Sequence, residues 1–303
     1  MNNQTVCGGV ALVGRPNVGK STLLNHLVGY KLSAIANKPQ TTRTNIKGIL
    51  TESDKGYQII FIDTPGIHKE SKTLLNFTLN KEAIASIEEV DVVVHLIEVN
   101  KWTDEDEDVL SRYAEFNKPV FLAINKIDRV EDKNRLLPFI QSVMDKYEYA
   151  GVIPISATKA IQTDELLENI VARLPKGPFV YDEDHITDKS VKFICAELVR
   201  EQLVINLHQE LPYSTAVQVE RYKEEDDLVK LDVIIWTDRE PQKGIIIGKN
   251  GQTLKRIGSA ARVSLEEFLM KKVMLRQWVK VEKNWQNNPN YLNELGIVST
   301  KEL

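Results

Sequence analysis

The sequence is poor in the residues that mark several common protein classes. Two cysteines occur, Cys7 and Cys195, far apart and outside any C-x-x-C or zinc spacing. That excludes a disulfide framework and a zinc ribbon, and a reducing compartment is the natural setting. The five histidines show no H-x-x-x-H pairing, so each is read as packing or surface rather than as a metal ligand. No apolar run approaches the ~18 residues of a membrane-spanning helix. Met1-Asn2-Asn3-Gln4-Thr5 has neither the positive nor the apolar region of a secretory leader, and a cytoplasmic, soluble chain is expected. No internal repeat is present, and neither sign of charge dominates, with 39 Lys and Arg against 43 Asp and Glu for a net −4.

What the 303 residues do contain is ordinary globular composition, 42% hydrophobic and 27% charged, with length for two domains that each bury a core. The apolar run Val10-Ala11-Leu12-Val13 leads into Gly14-Arg15-Pro16-Asn17-Val18-Gly19-Lys20-Ser21, and an apolar-periodic segment from Thr22 to Leu27 follows. Strand, glycine loop and helix start in that order fit the P-loop pattern, whose backbone N–H groups and helix N-terminus wrap a polyphosphate. In this reading Lys20 reaches the β- and γ-phosphates and the Ser21 hydroxyl holds Mg²⁺. A glycine turn before a helix also serves as a plain structural device, so the rest of the chain is the test.

The first helix should end at Gly29. Pro39-Gln40-Thr41-Thr42-Arg43 then lies in a polar connection before an edge strand at Ile46 to Leu50. A P-loop enzyme needs a second hydroxyl on Mg²⁺ that is present only while γ-phosphate remains; Thr42 is the candidate and Thr41 the alternative. The apolar run from Tyr57 to Ile62 delivers Asp63-Thr64-Pro65-Gly66 at its C-terminal end, where ligands bind in open α/β sheets. Asp63 can hold Mg²⁺ through a water, and the Gly66 N–H, with no Cβ beside it, can approach the γ-phosphate. A further strand from Pro119 to Ile124 brings Asn125-Lys126-Ile127-Asp128 to the same edge. An aspartate accepts from both the N1–H and the 2-amino group of guanine, and adenine has neither, so Asp128 favours GTP over ATP. Val152 to Ile155 leads into Ser156-Ala157-Thr158, where the Ala157 N–H can meet guanine O6.

Between these strands Thr103 precedes five consecutive acids, Asp104 to Asp108. They read as a Thr-capped helix start with a solvated acidic face, because consecutive helical residues point around the cylinder rather than at one ion. Strand and helix alternate from Val10 to about Leu174, which predicts a mostly parallel, doubly wound sheet over residues 1–175. Pro175-Lys176-Gly177-Pro178 and the acids Asp182-Glu183-Asp184 read as a linker over 176–189.

Beyond it the periodicity predicts a helix, a strand pair (Thr215 to Tyr222, Leu228 to Trp236), two helices around Gly248-Lys249-Asn250-Gly251, and a strand from Val273 to Val281. A G-x-x-G loop between two helices clamps a single-stranded nucleic-acid backbone, although the four-residue pattern is common. Charge strengthens it: Pro241 to Arg276 holds eight basic residues (Lys243, Lys249, Lys255, Arg256, Arg262, Lys271, Lys272, Arg276) against Glu266 and Glu267, a net +6 in an acidic chain. Such a face is an electrostatic footprint for phosphates. Lys243, Gly248, Lys249, Asn250, Gly251, Lys255 and Arg256 are the candidate RNA contacts. The tail from Asn284 to Leu303 is polar and without strong period.

Taken together, G-R-P-N-V-G-K-S, P-Q-T-T-R, D-T-P-G, N-K-I-D and S-A resemble the five GTPase motifs of the Era family, and I-I-I-G-K-N-G resembles its KH signature. The resemblance covers nearly the whole chain. It implies an α/β P-loop GTPase domain followed by an α+β type II KH domain over 190–303, and hydrolysis of GTP to GDP with Mg²⁺. Its RNA would be the 3′ end of small-subunit (16S) ribosomal RNA, in assembly of the small ribosomal subunit. A monomer and a peripheral contact with the inner membrane are also implied, though no amphipathic basic helix at either end supplies an anchor. Where many GTPases place a water-orienting glutamine, Ile67 and His68 follow Gly66. Related GTPases with this hydrophobic replacement can use K⁺ held partly by the P-loop asparagine, which is Asn17 here; Arg15 and Arg43 are alternative donors of positive charge.

Overall fold

Strands that are apolar at every position are buried on both faces, and strands that alternate are half-exposed. The computed structural model describes residues 5–36, 38, 41–64, 73–132, 136–295 and 297, and it contains both kinds in two separate units. One comprises Met1–Leu32, Thr44–Ile67 and Asn80–Asp188, the other Ser33–Arg43, His68–Leu79 and Lys189–Leu303.

The first unit is built on β1 (Val6–Val13), α1 (Lys20–Val28), β2 (Ile46–Glu52), β3 (Tyr57–Asp63), α2 (Leu74–Glu89, its second half), β4 (Val92–Glu98), α3 (Asp104–Tyr113), β5 (Val120–Asn125), α4 (Leu136–Met144), β6 (Gly151–Pro154) and α5 (Thr163–Val171). Its six strands lie in the order β2-β3-β1-β4-β5-β6. β2 is antiparallel to β3 at the edge, and the other neighbours are parallel. Every residue of β5 is buried, as a central parallel strand requires. α1 stops at Gly29, whose left-handed φ of 79° closes the helix with an N–H to Asn25 O.

The stretch expected as a linker is tied into this unit. Gly177 N donates to Thr5 O at 3.0 Å and Ile49 N to Ile186 O at 2.9 Å, so the segment covers the free edge of β2. The buried side chain of Gln58 accepts from the N–H groups of Val180 (2.8 Å) and Tyr181 (3.0 Å) and donates to Tyr181 O (2.9 Å). Backbone groups of an irregular segment need partners, and a glutamine far upstream supplies them.

The second unit runs α6 (Val191–Asn206), β7 (Thr215–Glu224), β8 (Leu228–Thr237), α7 (Glu240–Ile247), α8 (Gln252–Leu269), β9 (Lys272–Val281) and a short α9 (Pro289–Glu294). β7 and β8 are antiparallel, β8 and β9 parallel. This α-β-β-α-α-β order is that of a type II KH domain. Two segments from the first half of the chain join it. Leu75 and Leu79 pack with Ala216, Trp285, Leu292 and Ile297 in one core cluster. Trp285, in the tail read as polar and without strong period, is fully buried and donates from Nε1 to Ser214 O at 3.1 Å. Residues 33–43 are the other segment. Arg43, 3% exposed, donates to the carbonyls of Thr215 (2.5 Å), Pro212 (3.0 Å) and Tyr213 (2.9 Å). Arg200 donates to Thr41 O, and Lys38 donates to Val204 O at 2.6 Å, at the carbonyl end of α6 where a cation is favoured.

Candidate functional site

β1, β3, β5 and β6 each end at the same edge of the first sheet, and each end carries a motif. After β1 the loop turns through Gly14, Asn17 (φ 65°) and Gly19 (φ 109°), the alternation that turns successive N–H groups towards one anion. A Cβ on Gly19 would collide with the Asn125 amide, so the close approach of the two loops needs glycine there. Lys20 is buried, and its Nζ donates to the carbonyls of Gly14 (2.8 Å) and Arg15 (3.2 Å). Burial pulls it down to about 8, against the attraction of Asp63.

Ser21 donates from Oγ to Oδ2 of Asp63 at 2.7 Å. Two of the three expected Mg²⁺ residues are therefore neighbours, and a hydroxyl beside a carboxylate is the hard donor set that suits Mg²⁺. Thr64, expected at the nucleotide, commits its hydroxyl to Leu12 O at 2.8 Å; its side chain fastens β3 to β1 instead. Pro65, Gly66 and Ile67 lie outside the described residues. Thr42 and its alternative Thr41 are buried and belong to the second unit, where Thr41 donates to Lys38 O at 2.6 Å.

Asn125 knits the base end together. Its Nδ2 donates to Val18 O at 2.7 Å, and its Oδ1 accepts from the N–H groups of Lys126 (2.8 Å) and Ala157 (3.0 Å). One side chain thus joins the loops after β1, β5 and β6. Asp128 is exposed, with Oδ1 accepting from Ser156 Oγ at 2.6 Å. That bond aims the carboxylate. Thr158 is exposed beyond it, while Pro16 lies within the loop and Thr22 within the first turn of α1.

Both arginines considered as charge donors are otherwise engaged. Arg43 caps carbonyls in the second unit, and Arg15 pairs through Nε with Asp106 (3.1 Å) and through Nη2 with Glu98 (3.2 Å). This also corrects the acidic helix face, because Asp106 is fully buried while Asp104, Glu105 and Glu107 are exposed. Burial raises the Asp106 carboxyl although Arg15 and Thr103 oppose it. The signal was present in the sequence: Asp106 shares a helical face with Val109, Leu110 and Tyr113. His95 on β4 is buried and bonds Tyr113 at 2.9 Å; burial, with the Lys20 charge added, pushes it down to about 3.

In the second unit the turn between α7 and α8 holds Gly248 (φ 73°), Asn250 (φ 52°) and Gly251 (φ 74°) in conformations with positive φ. A Cβ on Gly248 would strike Thr253. Lys249, Asn250, Lys255 and Arg256 are exposed and Lys243 is half-buried, so cations ring the loop. Two of the eight basic residues are neutralised: Lys271 pairs with Glu224 at 2.6 Å and Arg276 with Asp232 at 2.8 Å.

Family models described as a 50S ribosome-binding GTPase and as a KH domain match residues 9–126 and 210–286. The GTPase Era of Azotobacter vinelandii is 46% identical over 294 residues, 97% of either chain. The chain belongs to the Era family of GTPases. Era of Stenotrophomonas maltophilia is 44% identical over 298 residues, covering 98% of this chain and 99% of its own. Among solved structures, Aquifex aeolicus Era bound to GDP and AlF₄⁻ superimposes with a TM-score of 0.92 at 40% identity, over 97% of this chain and 100% of that one. A crystal structure of Era in complex with MgGDPNP and nucleotides 1506–1542 of 16S ribosomal RNA matches with the same score, identity and coverage. Within the Era family, then, the motif loops and the G-K-N-G turn stand on elements this chain also forms.

Proposed function

We propose that this chain binds and hydrolyses GTP at the loop edge of its first unit and binds the 3′ end of 16S ribosomal RNA through its KH unit, in assembly of the small ribosomal subunit. The observation that carries the reading is the match, at 40% identity over 97% of the chain, to Era held with MgGDPNP and that RNA. The geometry supports it: N–H groups of the Gly14–Ser21 loop receive the phosphates, Lys20 neutralises them, and Asp128 selects guanine. Ser21 and Asp63 would hold Mg²⁺, which when bound offsets charge on the β- and γ-phosphates. Asn17, exposed at the loop tip, presents an amide oxygen of the type that suits K⁺.

Lys243, the G-K-N-G loop, Lys255 and Arg256 would grip the RNA backbone. We place the protein in the cytoplasm, with any association with the inner membrane peripheral. Among the described residues no helix is long and apolar enough to cross a membrane.

Phosphate release over many turnovers, with and without an RNA of the 16S 3′ end, tests the enzyme. Binding of that RNA by wild type, Gly248→Asp and Lys249→Ala tests the interface. Lys249→Ala should weaken RNA binding about tenfold and flatten its salt dependence by about one unit of slope. No release of phosphate, or RNA affinity indifferent to both substitutions and to salt, overturns the corresponding half of the proposal.

A further inference from the structure

We propose that Glu98, which belongs to none of the nucleotide motifs, is a positioning residue that ties the phosphate loop to the base-recognition loop through one carboxylate. The inference rests on the GTP-binding reading above. Glu98 closes β4, in register with Asn125 on β5. Its Oε2 accepts from Nη2 of Arg15 at 3.2 Å, and its Oε1 lies 3.2 Å from Nζ of Lys126. Its side chain is 24% exposed and that of Arg15 8%, so water screens these pairs less than it would at an open surface.

Each residue is held from a second side, Arg15 at its guanidinium and Lys126 at its backbone N–H, which donates to Asn125 Oδ1. Arg15 cannot swing away, because Nε is bound to the buried carboxylate of Asp106, whose same Oδ2 accepts from the N–H and Oγ1 of Thr103, both at 2.9 Å. Lys126 has a left-handed backbone at φ 69°, which an L side chain adopts reluctantly. The ion pair and the Asn125 side chain both favour that conformation. Burial alone would raise the Glu98 carboxyl, but Lys126 and Arg15 outweigh it and hold the group ionised.

Guanine nucleotide spans these two loops, with its phosphates on Gly14–Ser21 and its base at Asn125–Asp128. A tie that fixes their separation beforehand removes freedom that binding would otherwise have to remove. The tie is to the loops and not to the γ-phosphate. GDP and GTP should therefore depend on it equally.

Dissociation of fluorescent GDP and of a fluorescent non-hydrolysable GTP analogue is to be timed for wild type, Glu98→Gln, Lys126→Gln and the double variant, with a thermal melt of each. Glu98→Gln should accelerate release of both nucleotides about tenfold. In the Lys126→Gln background the same change should alter release less than about twofold, since Arg15 alone leaves the base loop untied. Equal factors in the two backgrounds, unchanged release in Glu98→Gln, or a lowered melting temperature with unchanged release would each overturn the inference. Wild type that held neither nucleotide would instead remove the GTP-binding reading itself.

Discussion

The Ser21 hydroxyl donates to Oδ2 of Asp63 at 2.7 Å, joining the start of α1 to the end of β3 across two parallel strands. Loss of either oxygen should show as a demand for more Mg²⁺. For Ser21→Ala the Mg²⁺ concentration at half-maximal GTP hydrolysis is expected to rise at least about tenfold, the size of one lost charge-assisted contact. Titrating Mg²⁺ at saturating GTP measures it, and an unshifted midpoint would take Ser21 out of the metal site.

Asp128→Asn replaces an acceptor facing guanine's two N–H donors with a group that is partly a donor. GTP affinity should fall about a hundredfold or more, as when a site built to hydrogen-bond is mismatched, and xanthosine triphosphate should gain. Competition of the two nucleotides for the variant reads the ratio directly. A ratio equal to that of wild type would exclude Asp128 from the base pocket.

Single-turnover hydrolysis in KCl and in NaCl at matched ionic strength addresses the charge that develops between the β- and γ-phosphates. Arg15 and Arg43 are both bound elsewhere, so neither side chain is available for it. K⁺ near Asn17 is the expected substitute, with faster turnover in KCl for wild type and little difference between salts for Asn17→Ala. Equal wild-type rates in both salts would leave RNA or a protein partner as activator.

Arg43→Ala removes the donor from three carbonyls in a buried setting. Stability of the second unit should fall by about 1–3 kcal/mol, the range for a buried acceptor left without its partner. Urea unfolding gives the loss, and protease cleavage within residues 33–43 should accelerate. Cleavage as slow as in wild type would mean that the segment is held by other contacts.

His95 gives a pH dependence whose sign follows from its burial. Its folded value of about 3 lies below the ordinary 6.5, so between those values the unfolded chain binds the extra proton. The contribution of the neutral imidazole is therefore complete above about 6.5 and is lost as pH falls, by about 2 kcal/mol at pH 5. In His95→Gln the difference in unfolding free energy between pH 7 and pH 5 should shrink by about that amount. An unchanged difference would assign the acid sensitivity to carboxylates.

The sheet and the motif loops were legible because their causes are local. Runs such as Val120 to Ile124 announce a strand buried on both faces, and phosphate binding demands glycines, a lysine and a hydroxyl at fixed spacing along one loop. The G-K-N-G turn was legible for the same reason. Trp285 was not, because a single tryptophan in a polar tail has no period and its burial depends on Leu75, Leu79 and Ala216 from distant parts of the chain.

Residue order alone determined the nucleotide motifs, the strand ends that carry them and the element order of the KH half. Tertiary structure decided what the charged residues among them do. Only the strand order β2-β3-β1-β4-β5-β6 brings Glu98 beside Asn125 and Lys126, turns Asp106 inward to Arg15, and sends the linker back along β2. Backbone preferences act over a few residues, whereas a buried charge takes whichever partner folding delivers, and that partner can lie some ninety positions away, as Asp106 does from Arg15.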